Sequence, residues 1–142
     1  MPENKVWYEM VKTEEFEDIP GLIIVNTKNF DSYFSLIEET IDAFNYFHRW
    51  NEMWDINDAR ARVEDKHVLY LGTDKEGILA HLWSEKNYLY NVFVHPRRKD
   101  NYSVKFCKAC INHINYKKLS LYCDEWNRKS QLLAERIGFN KI

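Results

Sequence analysis

The feature that most constrains this fold is a strand, a helix and a second strand that follow one another between residues 88 and 123. The first strand is the apolar run YLYNVFVHP, and the second is KLSLYC. Between them, residues 103–116 carry apolar side chains at helical spacing: Cys107, Cys110, Ile111 and Ile114. A helix that connects two strands of one sheet crosses over and leaves those strands parallel. The sequence therefore predicts a parallel pair, with a basic loop leading into the helix.

The remaining segments indicate strands and helices in mixed order. Two short β-like runs, VWYEMV and GLIIVNT, precede a helix whose apolar side chains alternate at steps of four and three: Phe30, Phe34, Ile37, Ile41 and Phe44. A second helix, INDARARVED, leads into three strands joined by tight hairpins, and a last helix ends at Gly138. This order predicts an α+β domain with a central mixed sheet and helices on both faces.

Composition limits the classes of function. A chain of 142 residues fits one domain, residues 1–142, and its net charge of −2 argues against a generally polyanion-binding surface. Three cysteines do not suggest a disulfide framework, and neither a signal peptide nor a membrane span is evident. We therefore expect a cytoplasmic protein or, if a phage encodes it, a protein of the host cytoplasm or of the virion.

Two patterns suggest other chemistry. Cys107, Cys110 and His113 have a spacing seen in metal sites, and Cys123 would be a fourth ligand, but both helix cysteines lie on the apolar stripe. Core thiols are the favoured interpretation, and no metal is predicted. Residues 97–118 are basic with interleaved tyrosines, which suits nucleic-acid phosphates. A solvated helix face is favoured there, and nucleic acid is not predicted as a partner.

Two motifs, together with the predicted elements around them, resemble those of the GNAT acyltransferase family. The residues that match the start of its pyrophosphate motif, V-x-P-x-x-R-G-x-G-x-G/A, are Val94, His95 and Pro96. The residues that match its N-x-x-A/S-x-x-L-Y-x-x-x-G-F motif are Asn127, Ser130, Leu133, Gly138 and Phe139. The resemblance covers residues 67–142 clearly and the N-terminal half only by the order of its elements.

The resemblance implies acetyl-CoA or another acyl-CoA as cofactor and an amine as acceptor. The residues that it assigns to cofactor binding are Phe93, Val94, Arg97, Arg98, Lys99, Asn101, Tyr102, Ser103 and Asn127. In this assignment the VFVH strand pairs with the pantetheine amides, the loop holds the phosphates, and Asn127 contacts the cofactor arm. The loop nevertheless lacks every glycine of the family motif, and glycines are what let a diphosphate approach the backbone closely.

The catalytic positions of the family also differ here. The family's general base aligns with Tyr90, our candidate catalytic residue, and its proton-donating tyrosine aligns with Ala134. A phenol is a poor base near neutral pH, so the sequence alone predicts that Tyr90→Phe changes turnover little. A water relay or His81 would be a substitute base.

Two hypotheses remain open at this stage. The first is acyl transfer from acyl-CoA to an amine. The second is a catalytically inactive GNAT-fold binding or assembly module, resembling the GNAT-like components of tailed-phage virions. Because family members usually add two strands after G-F, we also expect an uncovered sheet edge. Such an edge would bind a second copy or a protein partner, unless the early β-runs cover it.

Overall fold

The computed structural model describes residues 4–48, 53–98 and 101–142. The strands are β1 (Lys5–Val11), β2 (Leu22–Val25), β3 (Val68–Asp74), β4 (Gly77–Glu85), β5 (Tyr88–Val94), β6 (Lys118–Asp124) and β7 (Asn140–Lys141). The helices are α1 (Phe34–Phe47), α2 (Ile56–Glu64), α3 (Tyr102–Ile111) and α4 (Arg128–Ile137), and a short 3-10 turn, Asp31–Tyr33, precedes α1.

The strands form one mixed sheet in the order β2-β3-β4-β5-β6-β1-β7. Neighbouring strands are antiparallel except β5 and β6, which run parallel on either side of the α3 crossover. The parallel pair predicted from the sequence is confirmed, as is the α+β fold with a central mixed sheet.

Each face of the sheet has its own apolar cluster, which explains why helices are needed on both. One cluster joins α1 and α2 to residues such as Leu71 and Trp83. The other joins α3 and α4 to residues such as Leu82 and Leu119. Leu82 and Trp83 are adjacent in β4 and point to opposite faces, as the two-residue period of a strand requires.

Helix α3 is shorter than the sequence predicts, and contacts with the segment after β1 explain where it ends. The predicted helix ran to residue 116, but α3 ends at Ile111 and tight turns follow. The Lys12 ammonium donates to the carbonyl of Ile111, the last residue of α3, and to that of Ile114 in the turn that follows. The Asn112 side chain accepts from the Phe16 amide at 2.9 Å and donates to the Phe16 carbonyl at 2.7 Å.

We expect Asn112→Ala to lower the free energy of unfolding by about 1–2 kcal/mol, because it removes two partly buried hydrogen bonds that tie the segment after β1 to α3. Urea unfolding measures this change. Asn115→Ala is the matched control, since Asn115 is exposed three residues further on. Equal stabilities for the two variants would contradict the assigned role of Asn112.

The expected uncovered edge beside β6 is wrong for the described part of the chain. Strand β1 pairs antiparallel with β6 along its whole length, from Lys5↔Asp124 to Val11↔Lys118. Strand β7 then pairs with β1 at Tyr8 and Glu9. Strand β1 therefore occupies the edge of β6 at which a partner was expected. This edge gives no reason to expect self-association.

The longest helix, α1, has 14 residues, and no helix in the described ranges is both long and apolar enough to cross a membrane.

Candidate active site between two parallel strands

The candidate site is a gap that opens between β5 and β6. The two strands are in register at Tyr88↔Ser120 within the described residues, and beyond that point they enclose a cavity of about 530 Å³. This volume lies in the range of small-molecule sites. Side chains line it from α2 and the segment after it, the end of β4, β5, β6 and α4, and they include Arg62, His67, Glu85, Tyr88, Tyr90, Asn91, Tyr122, Cys123, Asn127, Ser130 and Ala134.

A β-bulge at Asn91 shapes one wall of the cavity. The β4–β5 register shifts between His81 and Trp83, and Asn91 has a positive φ of 54°, which Asn tolerates better than most residues. A buried chain of hydrogen bonds holds the Asn91 side chain. Thr40 Oγ1 lies 2.8 Å from His81 Nδ1, and His81 Nε2 lies 2.7 Å from Asn91 Oδ1.

His81 is not the substitute base that the sequence suggested. Since the Asn91 oxygen can only accept, His81 Nε2 donates and Nδ1 accepts from the Thr40 hydroxyl. Burial lowers the pKa of His81 to about 4, the Asn91 hydrogen bond opposes this shift, and the nearby His48 makes a smaller contribution that lowers the pKa. Both ring nitrogens are engaged and the ring is neutral near pH 7, so His81 positions the bulge.

Tyr90 has a partner that the sequence did not reveal. Its hydroxyl lies 2.6 Å from His67 Nδ1 and 3.3 Å from an Arg62 nitrogen. Burial raises the pKa of Tyr90, and Arg62 opposes that shift. The phenol therefore stays protonated near neutral pH and donates to the imidazole.

The second nitrogen of His67 faces carboxylates. His67 Nε2 lies 3.4 Å from Glu85 Oε2 and 3.8 Å from Asp65 Oδ2. Two carboxylates therefore lie beside the His67 nitrogen that faces away from Tyr90. Arg62 and His67 come from the end of α2 and the turn that follows it, whereas the β4–β5 hairpin brings Glu85 close to β5. We call Tyr90, His67 and Glu85 the proton relay below.

The opposite wall is formed by β6 and α4. Asn127 lines the cavity and caps α4, because its side-chain oxygen accepts from the Ser130 amide at 3.2 Å. Ala134, at the position of the family's proton donor, is buried and packs in the core. The free thiol of Cys123 also lines the gap, and burial raises its pKa to about 11, so it is neutral and a weak nucleophile near pH 7.

Phe93 and Val94 end β5, just after the part of the strand that lines the cavity. The Phe93 side chain is buried among the aromatic rings beneath α1, and Val94 packs against the core on the other face. Their strand pairs with β4 on one side at His81 and Ala80. Both residues lie beyond the point where β5 and β6 are in register, and neither is among the described residues that line the cavity.

Arg97 is engaged away from the gap. Its guanidinium forms a two-pronged ion pair with Asp74, at 2.9 and 3.0 Å, and also bonds Glu76 Oε2 and the Ile78 carbonyl at 3.0 Å. The Arg97 hydrogen bond lowers the pKa of Asp74 to about 2. A phosphate contact by Arg97, as the sequence predicted, would require breaking this attachment to the β3–β4 hairpin.

Tyr102 fills space that a glycine would leave open. It is the first residue of α3, is buried, and stacks on Phe106 with ring centroids 6.0 Å apart. Its hydroxyl lies against Gly72, where a Cβ would collide with it. Arg98 sits over the outer side of the ring, 5.0 Å from its centroid. The Tyr102 side chain therefore belongs to the core.

The other loop residues lie around the start of α3. Asn101 is exposed at the N-cap position without a side-chain capping bond, and Ser103 is half-buried. Lys99 lies outside the described residues. None of the loop residues predicted to bind phosphates lines the β5–β6 cavity as the structure describes it.

We expect Tyr102→Phe to raise the free energy of unfolding by about 1 kcal/mol. The Tyr102 hydroxyl is buried without a hydrogen-bonding partner in the described protein, and burial raises its pKa to about 12. Thermal unfolding would show the gain, and Tyr116→Phe at an exposed tyrosine should leave stability unchanged. A loss of stability in Tyr102→Phe would mean that the hydroxyl has a partner after all.

The cysteine spacing noted in the sequence does not form a metal site. Cys107 and Cys110 are buried in the core, whereas His113 is exposed. Across the described ranges, no three His, Cys, Asp or Glu side chains are grouped closely enough to hold a metal ion.

The architecture matches solved structures, although the sequence matches no protein-family profile and no curated protein. A structure from Novosphingobium aromaticivorans, described as a GNAT-family acetyltransferase, superposes with a TM-score of 0.64 at 12% identity over 100% of this chain. A GNAT-family acetyltransferase from Colwellia psychrerythraea gives 0.66 at 15% identity over 99% of the chain. A further structure described as an acetyltransferase gives 0.58 at 13% identity.

This protein therefore has the fold of the GNAT acetyltransferases. It spans 61% and 53% of the length of the Novosphingobium and Colwellia proteins, and 85% of it aligns with 90% of the further structure. At these identities the likeness establishes the fold.

Proposed function

We propose that this protein is an acyl-CoA-dependent N-acyltransferase whose reaction takes place in the gap between β5 and β6. The observation that carries the proposal is the cavity itself, with the proton relay on one wall and the capped start of α4 on the other. The GNAT fold supports the same reaction class, since such proteins are described as acetyltransferases.

The pantetheine arm would lie in the gap and would pair through its amides with the main chain of Phe93 and Val94. Asn127 and Ser130 border the arm from α4. The phosphates would lie at the start of α3, because the first amides of a helix and its dipole favour anions, together with Arg98, Lys99, Asn101 and Ser103. Arg97 would contribute less than the sequence predicted, because acids of the hairpin already bind it.

The relay supplies a path for the proton that an amine must lose. The amine nitrogen attacks the thioester carbonyl carbon, the C–S bond breaks, and coenzyme A leaves as a thiolate that takes a proton from water. The Tyr90 oxygen accepts a proton from the amine while its own proton passes to His67 Nδ1. Glu85 stabilises the resulting imidazolium, and solvent receives the proton, since Glu85 is about half exposed.

Calorimetric titration with acetyl-CoA and with coenzyme A tests the proposal. We expect micromolar affinity. Ser130→Trp should weaken binding at least tenfold by filling the cavity, because Ser130 lines it. Leu132→Trp is the matched control, since Leu132 is exposed on the same helix. Absence of heat at millimolar ligand, or equal affinity in the two variants, would overturn the proposed site.

A second candidate is a GNAT-fold module that binds or assembles without catalysis, including the phage virion type. The observation that favours it is the phosphate loop, where Arg97 is bound to Asp74 and Glu76 and the Tyr102 side chain is buried. This candidate predicts a folded protein that ignores acyl-CoA, so the same titration separates the two functions.

A further inference from the structure

Lys5 places an amine on the rim of the cavity. Its ammonium lies 3.1 Å from Asp124 Oδ1 and 4.5 Å from the centroid of the Tyr122 ring. Lys5, Asp124 and Tyr122 all line the same cavity as Tyr90. The Lys5 side chain is 23% exposed, so it is reachable but partly enclosed. An aromatic face and a carboxylate are the groups that hold an ammonium ion.

A row of stacked rings leads from Lys5 to the relay. Tyr122 stacks on Tyr88 with centroids 5.8 Å apart, and Tyr88 stacks on Tyr90 at 5.8 Å. Tyr122 on β6 and Tyr88 on β5 face each other where the two strands begin to part. The ammonium therefore lies beside the mouth of the gap, on the sheet face that carries the Tyr90 hydroxyl.

Lys118 provides a comparison within the same two strands. It forms the other cross-strand ion pair of β6 and β1, 2.8 Å from Glu9 Oε2, and it lies on the same face as Lys5. Its side chain is 59% exposed, and it does not line the described β5–β6 cavity. Exposure alone would therefore make Lys118 the more reactive amine.

We propose that Lys5 Nζ is an acyl acceptor of this protein's own site, so that the protein acylates itself at Lys5. This inference rests on the proposed acyl-CoA function. The Lys5 ammonium gives one proton to the Asp124 carboxylate, which passes it to water, and the free amine attacks the thioester carbonyl carbon. The C–S bond breaks, the second N–H proton leaves to water, and the thiolate is protonated. The products are an Nε-acyl-lysine and coenzyme A.

The test is a time course of the purified protein with acetyl-CoA, followed by peptide mass spectrometry of each lysine. We expect Lys5 to be acetylated at least tenfold faster than Lys118. Urea-unfolded protein gives the intrinsic ratio for the two peptides and should show no such preference. Lys5→Arg keeps a positive charge beside Asp124 and should remove the fast-reacting site without unfolding the protein.

The variant Ser130→Trp tests whether the reaction takes place in the cavity. In that variant, acetylation of Lys5 should fall to the rate of Lys118, whereas Leu132→Trp should leave it unchanged. Acetylation of Lys5 no faster than that of Lys118 in the folded protein would overturn the inference. If calorimetry shows binding and Lys5 stays unmodified, self-acylation fails while the proposed function stands. If acetyl-CoA does not bind at all, both fail.

Discussion

Tyr90→Phe should slow acyl transfer about a hundredfold and leave the affinity for acyl-CoA within about twofold. The substitution keeps the ring that stacks between Tyr88 and Trp83 and removes only the hydroxyl that joins the amine to His67. Positioned proton transfer contributes 10²-fold or more to such reactions. Turnover is measured as thiol release, with the primary amine that the unsubstituted protein acylates fastest. Calorimetry measures the affinity for acyl-CoA.

The variants His67→Gln and Glu85→Gln test whether these side chains transfer a proton or only pack against Tyr90. Removing the imidazole should change the pH dependence of the rate as well as its size, because His67 is the group that gains the proton. Glu85→Gln should slow turnover by only about tenfold, because Asp65 also faces His67 Nε2. Unchanged turnover in Tyr90→Phe, with acyl-CoA still bound, would remove Tyr90 from the mechanism.

Acidification from about pH 6.5 to pH 4 should destabilise this protein through His81. The pKa of His81 is about 4 in the folded protein, because burial disfavours the charged ring, and near 6.5 in the unfolded chain. As pH falls, the unfolded chain takes up the proton first, so stability that is complete above pH 6.5 is lost progressively down to pH 4. The shift corresponds to about 3 kcal/mol.

Urea unfolding at a series of pH values, compared with His81→Gln, isolates this contribution. Glutamine has an acceptor for Thr40 and a donor for Asn91 but does not titrate in this range. The difference between the two proteins should therefore change with pH in that window alone. Parallel stability curves for the two proteins would show that His81 is charged in the fold or has no part in acid unfolding.

The sequence predicts the elements of this fold well because most of its signals are local. The spacing of Ile37, Ile41 and Phe44 defines one face of α1, and Gly138 ends α4 with a positive φ of 121°. The end of α3 was missed because its causes, Lys12 and Phe16, lie about a hundred residues away in sequence. The position of β1 beside β6 was left open for the same reason.

The candidate site was harder to predict than the fold. Tyr90 and Asn127 were found because they occupy motif positions, and both line the cavity. The sequence does not show that His67 lies beside Tyr90, however, so it predicts the role of Tyr90 only from the ordinary pKa of a phenol. The position of Arg97 in the loop predicts that it binds phosphates. Nothing in the local sequence indicates that it forms ion pairs with Asp74 and Glu76 instead.

The pairing of β1 with β6 also affects how the protein folds. Lys5 and Asp124 are 119 residues apart in sequence, so closing that ladder carries a large loop-closure cost, and contacts of such separation slow folding. The hairpins of β3, β4 and β5 can form while β1 is still unattached. During synthesis β1 emerges before β2 to β6 and has to wait for β6 before it can pair. We therefore expect the rim of the gap, which carries Lys5, to form late in folding.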